Sequence, residues 1–150
     1  MSETDYDIHV LNSLIKITLD SRRGFMDASE DAENTRFAAF FQDFAEGRLQ
    51  AAATLRDEVR RIGGEPIDQG TLVAATHRTF MRLKQMFASR DDKAIVEEVE
   101  RVEDHIKSRF EEAFADDQLS ADTRAVVVEA FRSVEAGHER ASALKHSLAL

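Results

Sequence analysis

The stretch VEAGHERA, Val134 to Ala141, carries a Glu-x-x-His pair, Glu135 and His138. On a helix this spacing stacks a carboxylate and an imidazole one turn apart, the unit repeated in carboxylate-bridged two-metal centres. A complete centre of that type needs further contributions converging on one interior. They are a carboxylate on a first helix, a Glu-x-x-His on a second and a carboxylate on a third. The chemistry in question is iron or manganese binding, and the residues available for it are Glu103, Glu135 and His138.

Other chemistries have little to work with. The chain has no cysteine, which excludes disulfides, thiol catalysis and cysteine-based zinc sites. No Gly-rich phosphate loop, Ser/His/Asp set or cleft-forming pair of acid and base carboxylates is apparent. Lys+Arg 20 against Asp+Glu 29 gives a net charge of −9, the wrong sign for gripping nucleic-acid phosphates. No apolar run reaches the length of a membrane span, and the acidic start MSETDYDIHV lacks a signal-peptide pattern. A cytoplasmic protein is expected. With 43% hydrophobic and 33% charged residues, 150 residues suffice for one globular domain with a real core.

The elements that would position these side chains are helices. No alternating strand pattern or Asn-Gly hairpin occurs, whereas apolar residues recur at helical spacing almost throughout. A first helix is expected from Thr4 to Asp31, on a stripe of Ile8, Leu11, Ile15, Leu19, Phe25 and Met26. A second runs from Thr35 to Ile62 behind an Asn34 cap, with Phe37, Phe40, Phe41, Phe44, Leu55, Val59 and Ile62. The sequence Gly63-Gly64-Glu65-Pro66 stops it. A shorter helix, Thr71 to Ala88, has an apolar side of Leu72, Thr76, Phe80, Leu83 and Phe87. Ser89 with Asp92 then reads as a capping box for a helix from Arg90 to Ala115. The last helix spans Ala121 to His146, capped by Ser120 or Asp122. The mixed charges of DDKAIVEEVERVED, with Glu97 and Arg101 at i,i+4, read as a solvated face.

Connection lengths set the topology. Short turns make the first and last pairs of long helices antiparallel. The stretch from Gly63 to Ser89 is too long for a turn. It contains a helix of about 27 Å, able to travel most of a long helix of about 40 Å. The second and third long helices should therefore run parallel. Two antiparallel hairpins joined by one crossover helix make an all-α, ferritin-like four-helix bundle with a fifth helix.

The segments LNSLIKITLDSRRGF, RRIGGEP, THRTFMRLKQMF, DDKAIVEEVERVED and EAGHERA resemble a bacterial ferritin-like four-helix-bundle family of unknown function. The resemblance spans nearly the whole chain. It implies the fold, and it implies a stress-associated role only as a family-level association. The wider superfamily holds iron stores, oxygenases and metal-free members, so the fold does not choose among them.

Angular positions on each helix test the metal reading. At about 100° per residue, His138 lies within about 40° of its stripe centre and Glu135 about 100° away. Glu103 is about 55° off centre, close enough to turn inward. The first two helices do not match the pattern. Glu46 points about 170° from the phenylalanine stripe. Leu49 stands where a second histidine belongs, and Asp20 falls near the outer face. The inward polar residues there are Arg22 and Arg48, which at an effective dielectric of about 20 would repel a divalent cation by several kcal/mol. At about 1.5 Å rise per residue, Arg22, Arg48, Glu103 and His138 all fall near mid-height. They are expected to form an interior layer of ion pairs and hydrogen bonds in place of a metal centre. Two arginines against one glutamate would leave excess positive charge. Glu135 turning inward, an arginine reaching out along its stem, or a bound small anion would each relieve it.

The expectation from sequence is thus a non-catalytic helical bundle acting by self-assembly, as a homo-oligomer, or by docking a protein partner. The alternative is an iron or manganese protein with a degenerate ferritin-like site.

Overall fold

A computed structural model describes residues 2–31, 37–67, 74–89 and 91–148. Among them are five α-helices and no strand: α1 (Glu3–Asp31), α2 (Phe37–Arg61), α3 (Ala74–Ser89), α4 (Asp92–Phe114) and α5 (Ala121–Leu148). The expected cap Asn34, the start of α3 before Ala74, and the side chains of Thr76 and Phe80 lie outside the described residues. None of these helices is long and apolar enough to cross a membrane.

Each long helix buries one residue at alternating steps of four and three. On α1 the row is Asp7, Leu11, Leu14, Thr18, Ser21, Phe25 and Ala28. On α2 it is Phe37, Phe41, Phe44, Arg48, Ala51, Leu55 and Glu58. On α4 it is Val96, Val99, Glu103, Ile106, Phe110 and Ala113. On α5 it is Thr123, Val127, Ala130, Val134, Gly137, Ala141 and Leu144. A strict seven-residue repeat keeps one seam facing its neighbours along the whole helix, as in a coiled coil. The α2 row carries the bulk, with three phenylalanines and an arginine. The α5 row is mostly small.

Pairwise contacts give the directions. Phe25 meets Phe41 and Phe44 at 5.9 Å and 5.2 Å between ring centroids, and Asn12 near the start of α1 reaches Glu65 just beyond α2, so α1 and α2 are antiparallel. Phe114 and Phe110 meet Phe131 while His138 meets Asp104, which makes α4 and α5 antiparallel. Arg48 with Glu103 at mid-height, and Leu55 and Val59 in one apolar cluster with Phe110, make α2 and α4 parallel. α3 packs on α1 and α4. It inserts Leu83 into the core and sets Phe87 5.6 Å from Phe41.

The apolar interior divides in two. One cluster gathers Leu11, Leu14, Ile15, Leu55, Phe110 and Val127 near the start of α1. The other gathers Phe25, Phe41, Phe44, Leu83, Val99 and Leu144 toward its end. Half-buried Val102 touches both. Between them lies the polar layer described below.

Local signals fix the helix ends. Ser2 and Asp5 form a reciprocal capping box, Asp5 N–H donating to Ser2 Oγ at 3.1 Å. Gly63 takes φ +89°, its N–H donates to Arg60 O, and Gly64 N–H donates to Val59 O at 2.8 Å. This pair of bonds is the Schellman stop, and it needs the left-handed conformation that glycine adopts freely. The cap of α4 is Asp91, which accepts from Ala94 N–H at 3.1 Å. Ser89, the expected cap, instead donates its hydroxyl to Met86 O and closes α3. Ser120 caps α5 by accepting from Thr123 N–H at 3.3 Å.

Candidate functional site

The seven-residue rows bring Ser21, Arg48, Glu103 and Gly137 to one level. Arg48 is 1% exposed and Glu103 is 0% exposed, a depth that charged side chains tolerate only when paired. The Arg48 guanidinium donates from Nη2 to Glu103 Oε1 and from Nε to Ser21 Oγ, the latter at 3.3 Å. Its Cζ stands 5.8 Å from the centre of the Phe25 ring, so a cation–π contact covers another side. Gly137 supplies the fourth wall. A Cβ there would lie 3.1 Å from Glu103 Oε2 and 3.5 Å and 3.6 Å from the two terminal nitrogens of Arg48. Glycine lets the α5 backbone close directly over the ion pair. Glu103 Oε2 has no hydrogen-bond partner among the described residues.

Burial is the largest influence on the Glu103 carboxyl and pushes it above the ordinary value of 4.5. The charge and hydrogen bond of Arg48, and less strongly the nearby His138, pull the other way. Removing both ions from water costs several kcal/mol each, so the pair adds little net stability while strongly penalising loss of either member.

Other residues of the expected layer stand elsewhere. Arg22 is only half-buried, and the residue of α1 that hydrogen-bonds Arg48 is its neighbour Ser21. Asp20, expected outside, is 2% exposed. His138 keeps 25% of its side chain exposed, with Nε2 2.7 Å from Asp104 Oδ1, at the rim of the layer. Glu135 and Glu46 are exposed, and Leu49 is 42% exposed. With one arginine inside instead of two, Glu103 balances Arg48, and Glu135 has no charge to neutralise.

Further buried carboxylates were not expected. Glu98, in the stretch read as a solvated face, is 2% exposed. It accepts from Arg82 of α3 at 3.0 Å and from Arg101 at 2.7 Å. Glu58 accepts from Arg61 at 2.5 Å and 2.8 Å and from Thr123 Oγ1 at 3.0 Å. Asp7 accepts from the Ser120 backbone at 3.1 Å and the Ser120 hydroxyl at 2.6 Å, tying the start of α1 to the start of α5. Tyr6 donates to Asp116. That hydrogen bond holds the Asp116 carboxyl below its usual range and the Tyr6 phenol above its own.

These donors and acceptors do not fit a two-metal centre. Among the described residues no three His, Asp or Glu side chains converge on one point. Where the ligands would meet, a guanidinium is locked onto Glu103, the one inward carboxylate of the proposed ligand set. The arrangement can orient helices and present its rim.

The sequence profile of a family described as a domain of unknown function (DUF2383) matches residues 7–116, from α1 to the turn after α4. No curated protein matches the chain.

Proposed function

The chain belongs to this DUF2383 family, and from its own interior we propose a non-catalytic cytoplasmic scaffold, a ferritin-like four-helix bundle with α3 as the crossover. It acts through its outer surface, by self-association or by docking a protein. The observation that carries the reading is the Arg48–Glu103 pair at the level where a ferritin-like protein would hold metal. A guanidinium there repels a divalent cation and occupies Glu103 as its own counter-ion. The partner class is a protein because an acidic surface disfavours nucleic acid.

Elemental analysis of protein purified without a histidine tag, with light scattering on the same sample, tests the proposal. The expected result is iron and manganese far below one atom per chain, and a mass of two or more chains or of the chain plus one bound protein. Near-stoichiometric iron or manganese that disappears in His138→Ala would establish the alternative, a metal protein using His138 and neighbouring carboxylates.

A further inference from the structure

A cleft of about 120 Å³ opens on the outside of the α2–α5 seam, level with the polar layer. Gly47, Ser133, Ala136 and Gly137 leave room for it, and an added Cβ at Gly47 would stand only 3.9 Å from Ser133 O. Arg48 lies in its lining, with exposed Asp43, Gln50 and Arg140.

Donors outnumber acceptors in this cleft. A guanidinium has five N–H groups. Arg48 uses one on Ser21 and one on Glu103, and these are its only hydrogen bonds among the described residues. A Cβ on Gly137, itself in the lining, would stand 3.5 Å from Nη1 and 3.6 Å from Nη2, so the end of Arg48 lies just beneath that wall of the cleft. A buried guanidinium in the lining of a polar opening, with N–H groups left over, calls for an oxygen acceptor there. Gln50, Ser133 and Arg140 bring further donor-bearing side chains to the lining. The charges nearby nearly cancel, Arg48 and Arg140 against Glu103 and Asp43. Recognition therefore rests on directed hydrogen bonds rather than on net field, which favours a small, singly charged anion. A water's share of liquid volume is about 30 Å³, so the space suits a few waters or one compact group.

We infer that this cleft is a binding site for a small carboxylate, held by the unused N–H groups of Arg48 at its base and by Arg140 and Ser133 at its mouth. It differs from a metal site in ligand charge and location, and it stands whether or not the scaffold reading holds.

Acetate is the probe. It is titrated into labelled protein at constant ionic strength, with chloride as the reference, while backbone amide shifts are followed by NMR. Saturable shifts centred on Gly47, Ser133 and Gly137 are expected. Ala136 is exposed at the rim, so substitutions there spare the core. Ala136→Glu should abolish the shifts and Ala136→Lys should strengthen binding. Arg140→Gln should weaken it about 2- to 5-fold, the range for one exposed charge partner. Acetate shifts that do not saturate, that centre elsewhere, or that respond equally to Ala136→Glu and Ala136→Lys would overturn the assignment. Circular dichroism of each variant verifies that the fold is intact, and Arg140→Gln serves if an Ala136 variant unfolds.

Discussion

Breaking the Arg48–Glu103 pair from either side should cost far more than removing it whole. The proteins to compare are Arg48→Met, Glu103→Met and the double variant, since methionine keeps most of the buried volume. In contact, the charge centres are about 4 Å apart, worth about 4 kcal/mol at an effective dielectric of about 20. Both groups are essentially fully buried, so little solvent screening reduces that figure. Each single variant leaves one uncompensated ion and should lose about 3–5 kcal/mol, whereas the double variant should return close to wild type or exceed it. Urea denaturation followed by circular dichroism gives all three values, and two singles at about 3–5 kcal/mol each with a double near wild type make a coupling of about 6–10 kcal/mol. The two single variants should also separate by pH. In Arg48→Met, burial acts on Glu103 without its cation, so the folded-state pKa rises further. A raised folded value means that stability is fully present below the unfolded carboxyl value and is lost as pH rises through the folded one. The Arg48→Met deficit should therefore shrink on moving from neutral pH toward pH 4. Glu103→Met strands a guanidinium, which does not deprotonate in this range, so its deficit should not shrink. A coupling below about 1 kcal/mol, the range of exposed pairs, would refute the reasoning.

Gly137→Ala should destabilise by up to about 2 kcal/mol, because the crowded contact with Glu103 outweighs the helix-propensity gain of about 1 kcal/mol. In a background where Arg48→Met and Glu103→Ala have cleared the space, the same change should stabilise, and paired thermal melts read the reversal. Gly63→Ala forces a side chain into φ +89° and should cost roughly 1–2 kcal/mol by urea titration. Gly64→Ala sets a methyl 2.7 Å from Ile8 Cδ1 and should cost about 1–3 kcal/mol in the same assay. Tyr6→Phe should flatten the acid limb of the stability curve. Asp116 sits below its ordinary 3.8, so its contribution is present above that value and is lost as pH falls through the lower folded one. Acid titrations of both proteins by circular dichroism compare the limbs.

Much of the helix layout is legible in the sequence because its signals are local. Glycine pairs, caps and apolar spacing place four long helices and a short one within a few residues of their ends, and connection lengths give the pairing directions. The angular positions of Arg48 and Glu103 also point inward. The reading fails by one residue on α1, where Arg22 was expected and Ser21 is found. A stripe drawn at 3.6 residues per turn drifts by about 20° per heptad from the 3.5 repeat that the helix follows. A stripe chosen for apolar side chains also takes Ile8 over Asp7 and Leu19 over Thr18, which moves its centre on and brings Arg22 inward in place of Ser21. The four–three rhythm itself was the available signal, and it would also have picked out Gly137 as an interior position. Glu98 could not be found this way, because Arg82, one of its two cations, comes from another helix. Glu58 likewise depends on Thr123, distant in sequence.

The waist of charged and small residues also acts as a firebreak. Apolar blocks above and below it share half-buried Val102 as a common neighbour, so a disturbance in one half has few greasy contacts along which to spread. Slow amide exchange should resolve two protected provinces that open independently, and a core mutation at Phe41 should loosen its own province while leaving Phe110 and its neighbours shut.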